Sequence, residues 1–111
     1  MDWATFGYEG NDIVVAGTGT GFESLPGALP DDAPMYAYCR VDIPTEETTR
    51  TRFVLISWVG EGTSPMKKGK VSVDKPALKA VIKDVTIEIA TSDRDDLTQD
   101  KVIQKVRSAN Y

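Results

Sequence analysis

The sequence feature that most constrains the fold is an apolar run from Phe53 to Val59, with the letters FVLISWV. A strand with one face in water alternates apolar and polar side chains, whereas Ser57 is the single polar residue of this run. Both faces of such a strand must be covered by other parts of the chain. The run therefore predicts a central strand with helices on both sides of its sheet.

Four other segments have the pattern of strands. The runs from Trp3 to Tyr8 and from Asp12 to Thr18 are joined by a Gly-Asn pair, which predicts a hairpin. The run from Met35 to Ile43 alternates, and its odd-numbered residues form the drier face. Val85 to Ala90 also alternates and follows a helical segment, so we expect it to lie parallel to the central strand.

Two shorter helices are predicted, one after the first hairpin and one at the end of the chain. A short, weak helix is expected between Phe22 and Leu29, because Pro26 and Gly27 interrupt its apolar spacing. Thr98 to Ala109 closes the chain as an amphipathic helix. Its inward residues are predicted to be Val102, Ile103 and Val106.

The longest helical segment starts at Ser64, which is a suitable N-cap because Pro65 follows at the first helical position. Its second half shows the spacing of a buried helical stripe. That stripe consists of Leu78, Val81, Ile82 and Val85. Pro76 disfavours helical geometry at the preceding residue, so we expect a break or kink near Asp74 to Pro76, with Asp74 capping the second half.

The order of these elements predicts one α+β domain over residues 1–111, with a central mixed five-stranded sheet flanked by helices on both faces. A chain of 111 residues has room for one core of ordinary size. No run approaches the roughly 18 apolar residues of a membrane span, and the start lacks the pattern of a signal peptide. We therefore expect a cytosolic protein.

The composition disfavours an enzyme. The sequence contains no histidine, which is the commonest general base and metal ligand at neutral pH. Its one cysteine, Cys39, lies in a strand pattern with apolar neighbours and without a basic activator. The Gly-Thr-Gly-Thr-Gly segment from Gly17 lacks the spacing and the Lys-Ser/Thr ending of a phosphate-binding loop. We expect no catalytic residue, metal, cofactor or small-molecule substrate.

Positive charge is concentrated between Ser64 and Lys83. This stretch holds six lysines and one aspartate, a net charge of +5 in a chain of net charge −4. Such a ridge on an acidic body suits docking onto an acidic partner. An ordinary solvated helix face explains the same lysines. A third interpretation is a binding module for nucleic acid or anionic lipid, which the acidic chain and the lack of stacking aromatics in the stretch disfavour.

The segment from Arg50 to Lys79 resembles the corresponding part of coactosins and coactosin-like proteins, members of the actin-depolymerising-factor homology family. The resemblance lies in a basic pair before the Phe-initiated strand, the Trp58-Val59-Gly60-Glu61 end of that strand, a basic helix start, and Val73-Asp74-Lys75. Further similar segments are Met35 to Arg40, Ser92 to Leu97, and Ala109-Asn110-Tyr111. The similarity covers nearly the whole chain.

This resemblance implies a protein that binds actin filaments in the cytoplasm and cytoskeleton, without chemistry and without strong severing. In the family, the long helix packs into a cleft of actin, while the start of the central strand and the last helix supply a second contact used on filaments. The residues that the resemblance assigns to actin binding are Arg50, Arg52, Lys67, Lys68, Lys70, Lys75, Lys105 and Arg107.

The sequence departs from the family pattern at its start, because Met1-Asp2-Trp3 leads directly into the first strand where relatives have a helix of several turns. If such a helix buries about four large side chains, its absence removes on the order of 6–12 kcal/mol of apolar burial. That is comparable to the stability of a whole domain, about 5–15 kcal/mol. We therefore expect a partner chain, such as a second copy in a homodimer, or an exchanged element to cover that face.

Overall fold

A computed structural model describes residues 2–109, so the match at Asn110 and Tyr111 and the residue Met1 lie outside the described part. The strands are β1 (Trp3–Glu9), β2 (Asp12–Gly19), β3 (Pro34–Pro44), β4 (Thr49–Val59) and β5 (Ile87–Thr91). The α-helices are α1 (Pro65–Val81) and α2 (Gln99–Ser108). Short 3₁₀ helices occupy Phe22–Ser24, Pro26–Ala28 and Arg94–Leu97.

The strands form one sheet in the order β2-β1-β3-β4-β5. The pairs β1–β2, β1–β3 and β3–β4 are antiparallel, and β4–β5 is parallel, with Val54 opposite Ile87 and Trp58 opposite Thr91. The predicted mixed five-stranded sheet, its first hairpin and its parallel last strand are confirmed. Gly10, at the hairpin turn, has a positive φ of 64°, which suits glycine.

The two faces of β4 are buried in two different cores. Val54, Ile56 and Trp58 belong to a larger core that includes the 3₁₀ segments and α2. Leu55 points to the opposite face, where Val71 of α1 covers it. The predicted layer of helices on each side of the sheet is confirmed. Fully burying each of these side chains stabilises the fold by about 1.5–3 kcal/mol, so β4 anchors both layers.

Strand β3 is buried on both faces near its start. Its odd-numbered residues from Ala37 to Ile43 lie in the larger core, as predicted. Tyr36, which was expected on the wetter face, is completely buried under α1. Its hydroxyl donates to the Val71 carbonyl and lies 3.4 Å from the Tyr8 hydroxyl, so the polar tip keeps its hydrogen bonds inside an apolar contact.

Of the break or kink predicted near Asp74 to Pro76, the break is wrong and Asp74 caps no second half, because α1 continues from Pro65 to Val81 with Pro76 inside it. The kink stays a prediction. Proline removes one N–H donor and therefore leaves the Ser72 carbonyl without its helical partner. Both residues are exposed, so water can satisfy that carbonyl. Ser64 caps the helix as predicted, since its side chain accepts a hydrogen bond from the Lys67 N–H at 3.4 Å.

The predicted buried stripe of this helix is also partly wrong. Val81 is 81% exposed, and Val85 lies beyond the end of α1, although it packs partly buried against the same core as Leu78. The residues that face the sheet are Val71 and Leu78, with Ile82 packing just after the helix. A continuous helix puts these positions on one face, which rotates Val81 away from the sheet. Strand β5 accordingly begins at Ile87 rather than at Val85.

An apolar groove lies between β1, β2 and α1. It is lined by Phe6 and Ile13 from the sheet and by Leu78 and Val81 from the helix, together with Val15, which is 63% exposed. The expectation that a second copy or an exchanged element covers one face of the sheet stays a prediction. Sedimentation equilibrium tests it, and a monomeric mass combined with high thermal stability would contradict it.

Arg94 ties together two segments that are far apart in sequence. Its guanidinium donates to the Pro26 carbonyl at 3.1 Å, to the Leu29 carbonyl and to Asp31 Oδ1 at 2.6 Å. It also lies 5.2 Å from the ring centroid of Trp58. A planar five-donor group makes these contacts simultaneously, so Arg94 holds the 3₁₀ segments against the β5–α2 connection.

We expect Arg94→Lys to lower the free energy of unfolding by about 1.5–3 kcal/mol, since one ammonium cannot replace the forked hydrogen bonds or the ring stacking. Urea denaturation measures the change. Arg50→Lys is the matched control on an exposed strand residue and should stay within about 0.5 kcal/mol of the unchanged protein. Equal effects of the two substitutions would contradict the role of Arg94.

Candidate docking surface on the long helix and the strand arm

Helix α1 connects two parallel strands and therefore runs opposite to β4. Its start lies near Val59, at the end of β4, and its end leads to β5, where the Thr86 N–H donates to the Phe53 carbonyl at 2.8 Å. At 3.6 residues per turn, the side of the helix opposite the buried Val71 and Leu78 is exposed to solvent. We call this side the outward strip. It consists of Met66, Gly69, Val73, Pro76 and Ala80.

The outward strip carries no charge, which corrects the expectation of a simple lysine ridge. Met66 is 88% exposed and Val73 is 76% exposed, the largest apolar side chains on this side of the helix. Lys68 and Lys75 line a pocket on the β5 flank, whereas Lys67 and Lys70 line another on the flank of β1 and β2. The lysines therefore border an apolar strip on both sides.

Lys70 has partners within the chain. Its Nζ lies 3.2 Å from Asp74 Oδ2 and 5.3 Å from the ring centroid of Tyr8. Burial raises the pKa of Tyr8, and its hydrogen bond to Tyr36 adds to the shift, so both hydroxyls stay protonated near neutral pH. Lys70 thus compensates the charge of Asp74 beside a buried pair of tyrosines, and its charge is partly cancelled.

Lys75 and Lys79 both pair with Glu88 of β5. Lys79 Nζ lies 2.5 Å from Glu88 Oε2, and Lys75 Nζ lies 3.1 Å from Glu88 Oε1. Hydrogen bonds from Lys79 and then Lys75 lower the pKa of Glu88. Within residues 2–109, by contrast, no ion pair involves Lys67 or Lys68. These two lysines are the cations of α1 most available to a partner.

The other predicted site residues lie on a projecting arm. Strand β1 pairs with β3 only up to Cys39, and β5 pairs with β4 only from Val54 onward. Residues 41–44 and 49–53 therefore extend beyond the rest of the sheet as a two-stranded arm. The Arg107 guanidinium donates to the Pro44 carbonyl at 3.1 Å, which places the end of α2 beside this arm.

The predicted site residues therefore form two separate groups. The helix group contains Lys67, Lys68, Lys70 and Lys75, and the arm group contains Arg50, Arg52, Lys105 and Arg107. Arg50 and Arg52 share the strand parity of Val54, so they face the α2 side of the sheet, opposite α1. From Arg52 to Val59 the strand rises by roughly 23 Å. The structure does not bring the two groups together on one patch.

Met66 and Val73 were missed by the sequence reasoning. The signal that could have found them is their seven-residue spacing, which puts both on the same side of a helix starting at Pro65. Both residues precede Pro76, so the expected break did not hide them; the first half of the helix was considered only as a basic segment. Two exposed apolar residues outside the buried stripe are conspicuous once Val71 and Leu78 fix which side faces the sheet.

The described residues offer little for catalysis or metal binding. Between residues 2 and 109, no three His, Cys, Asp or Glu residues are placed to hold a metal ion. Burial raises the pKa of the Cys39 thiol to about 12, so it stays protonated and unreactive at neutral pH. No helix in that range is both long and apolar enough to cross a membrane.

Sequence comparison finds a family match over most of the chain. The family described as "Cofilin/tropomyosin-type actin-binding protein" matches residues 1–107. Coactosin of Dictyostelium discoideum is 39% identical over 112 residues, which cover 98% of this chain and 77% of that protein.

Solved structures show the same fold. The human coactosin-like protein superposes with a TM-score of 0.91 at 29% identity, over 96% of this chain and 82% of that one. Mouse coactosin, described as an actin filament binding protein, has a TM-score of 0.83 at 29% identity, over 98% of this chain and 77% of that one.

The lowered pKa of Glu88 makes its contribution to stability depend on pH. Stabilisation by the two lysines is present above the ordinary pKa of 4.5 and is lost as pH falls through the lower folded-state value. We expect Glu88→Gln to cost about 1 kcal/mol or less at pH near 6, because solvent screens these half-exposed groups. Thermal unfolding from about pH 6 to pH 2 should show this difference shrinking.

Glu47→Gln, in the exposed turn of the arm, is the control and should leave stability nearly unchanged at every pH. A cost of Glu88→Gln that stayed constant down to the lowest pH would contradict the ion-pair assignment.

Proposed function

Because the chain belongs to the cofilin/tropomyosin-type actin-binding protein family, we propose that it binds actin filaments as coactosins do, and that α1 supplies its main contact. The observation that carries this proposal is the outward strip of α1, with Met66 and Val73 exposed and Lys67 and Lys68 beside them. The family is one of actin-binding proteins without enzymatic activity. The proposed location is the cytoplasm, on the cytoskeleton.

The outward strip has the properties of a contact surface. Interfaces draw most of their affinity from a few residues that become fully buried at the centre of the contact. Met66 and Val73 are exposed in the free protein, so a partner that covers them gains their burial without disturbing the fold. The flanking lysines favour a partner surface with acidic edges and mainly affect orientation and association rate.

The arm group supports a second contact. Arg50 and Arg52 face the opposite side of the sheet from α1 and lie at the other end of β4. One flat partner surface cannot cover both groups, whereas two neighbouring subunits of a filament can each contact one group. We propose that this second contact favours filaments over single subunits and that binding occurs without strong severing.

Binding to nucleic acid or anionic lipid remains the alternative use of the same lysines. The outward strip between them contains no aromatic residue on which a base could stack. If gel-shift or vesicle assays showed tighter binding than filament binding at the same salt, nucleic acid or anionic lipid would replace actin as the proposed partner.

We expect Val73→Gln to weaken co-sedimentation with filaments by about tenfold, because burying a valine side chain is worth about 1.5–3 kcal/mol. Val81→Gln is the matched control, since Val81 is equally exposed on α1 but lies outside the outward strip. The control should stay within about twofold. Equal losses in both variants would contradict the assignment of the strip.

The two charged groups should act independently. We expect Lys67→Glu with Lys68→Glu, and separately Arg52→Ala, each to reduce filament affinity, with the free-energy losses adding in the combined variant because the groups are more than about 10 Å apart. Co-sedimentation at two salt concentrations measures this. Lys101→Glu, at an exposed position of α2, is the control. Unchanged binding in both variants would show that the predicted site residues are wrong.

A further inference from the structure

The segment that leads into α1, Ser64-Pro65-Met66-Lys67-Lys68, has a second property that filament binding does not explain. A serine is followed directly by proline and then, three residues after the serine, by a lysine. Of the six prolines in the chain, only Pro65 follows a hydroxyl residue. We propose that Ser64 is a phosphorylation site for a proline-directed serine/threonine kinase.

The chemistry of the motif suits such a kinase. A kinase subsite that buries the residue after the acceptor in an apolar pocket leaves an ordinary backbone N–H unsatisfied, whereas proline has no N–H to lose. A lysine three residues after the acceptor can pair with an acidic group beside that pocket. Ser64 has backbone angles of φ −65° and ψ 152°, which are extended and suit peptide binding in a kinase cleft.

Ser64 is also accessible. Residues 64–69 are all exposed, and the first side chain of α1 fully buried against the sheet is Val71. Opening the first turn breaks the Lys68 N–H bond to the Ser64 carbonyl and the cap bond to Lys67, but exposes no core residue. The neighbouring Thr63 is only 4% exposed and its hydroxyl is buried, so a kinase cannot reach it in the folded protein.

The reaction takes its phosphoryl group from ATP bound to the kinase. Ser64 Oγ forms a bond to the γ-phosphorus, the bond from that phosphorus to the β,γ-bridging oxygen breaks, and ADP leaves. The hydroxyl proton passes to the catalytic carboxylate of the kinase. The product carries about −1.5 to −2 charges at Ser64.

The consequence for binding rests on the proposed function. A phosphate at Ser64 lies at the amino end of α1, where the Lys67 N–H already donates to the Ser64 side chain and the helix start favours an anion. It also lies beside Lys67 and Lys68, the two cations of α1 outside any ion pair among the described residues. Phosphorylation therefore cancels the local positive charge and weakens contact with an acidic partner surface, while holding the first turn more firmly.

The test is incubation of the full chain with ATP and a purified cyclin-dependent kinase, followed by peptide mass mapping. We expect one phosphoryl group on Ser64 in the unchanged protein and none there in Ser64→Ala. Pro65→Ala keeps the serine cap and should lose at least about tenfold in the rate of modification. No modification of Ser64, or a Pro65→Ala rate equal to that of the unchanged protein, would overturn the proposal.

Two further measurements separate this proposal from filament binding. Hydrogen exchange at Met66 to Lys68 should slow on phosphorylation, whether or not the protein binds actin. Filament co-sedimentation of the phosphorylated protein should be weaker by about tenfold or more. If the unmodified protein fails to bind filaments while Ser64 is still phosphorylated, the proposed function fails and the modification site stands. Equal filament binding before and after phosphorylation would overturn the regulatory role.

Discussion

The two-sided burial of β4 is the constraint on which the rest of the structure depends. Val54, Ile56 and Trp58 need one apolar layer, and Leu55 between them needs another. The chain satisfies the first need with the 3₁₀ segments and α2 and the second with α1. Since a parallel β5 can be reached only by a long crossover, the helix that covers Leu55 is also that crossover. The proposed docking surface is the outer side of this covering helix.

Polar contacts fix the position and rotation of α1 on the sheet, which apolar burial alone leaves undefined. Glu88 accepts from lysines of α1 and so sets the lateral position of the helix on β5. From the sheet, the Tyr36 hydroxyl donates to the Val71 carbonyl. Together they hold α1 in one rotation about its axis, and that rotation decides which residues reach solvent. Met66 and Val73 are exposed because Val71 and Leu78 are held inward.

Much of the sheet could be predicted because strand patterns are local. The apolar run from Phe53 and the alternation from Met35 were sufficient to place the core strands. The long helix was harder, because Pro76 lowers local helix preference while the tertiary contacts of Val71 and Leu78 restore it. Packing overrode the local helix propensity. The sequence reasoning therefore assigned the wrong apolar residues to the buried stripe.

The resemblance implied two contacts, but that they face opposite sides of the sheet was beyond sequence reasoning. Strand parity put Arg50 and Arg52 on the face of Val54, but both faces of β4 are apolar, so parity could not say which face meets α1. The contacts of Arg94 were hidden for another reason. They join residues more than sixty positions apart, and no local pattern reports such a pairing. Both features depend on the assembled layers.

Gly69, between Met66 and Val73 on the outward strip, has a consequence of its own. A side-chain carbon built there meets nothing within 4 Å, so the fold places no demand for glycine at this position. An alanine would even favour the helix by about 1 kcal/mol. The free protein thus has an unused gain in stability beside Met66 and Val73, and the backbone there carries no side chain that would keep a partner away. At this residue, close approach in the proposed contact and the stability of the isolated chain would make opposite demands.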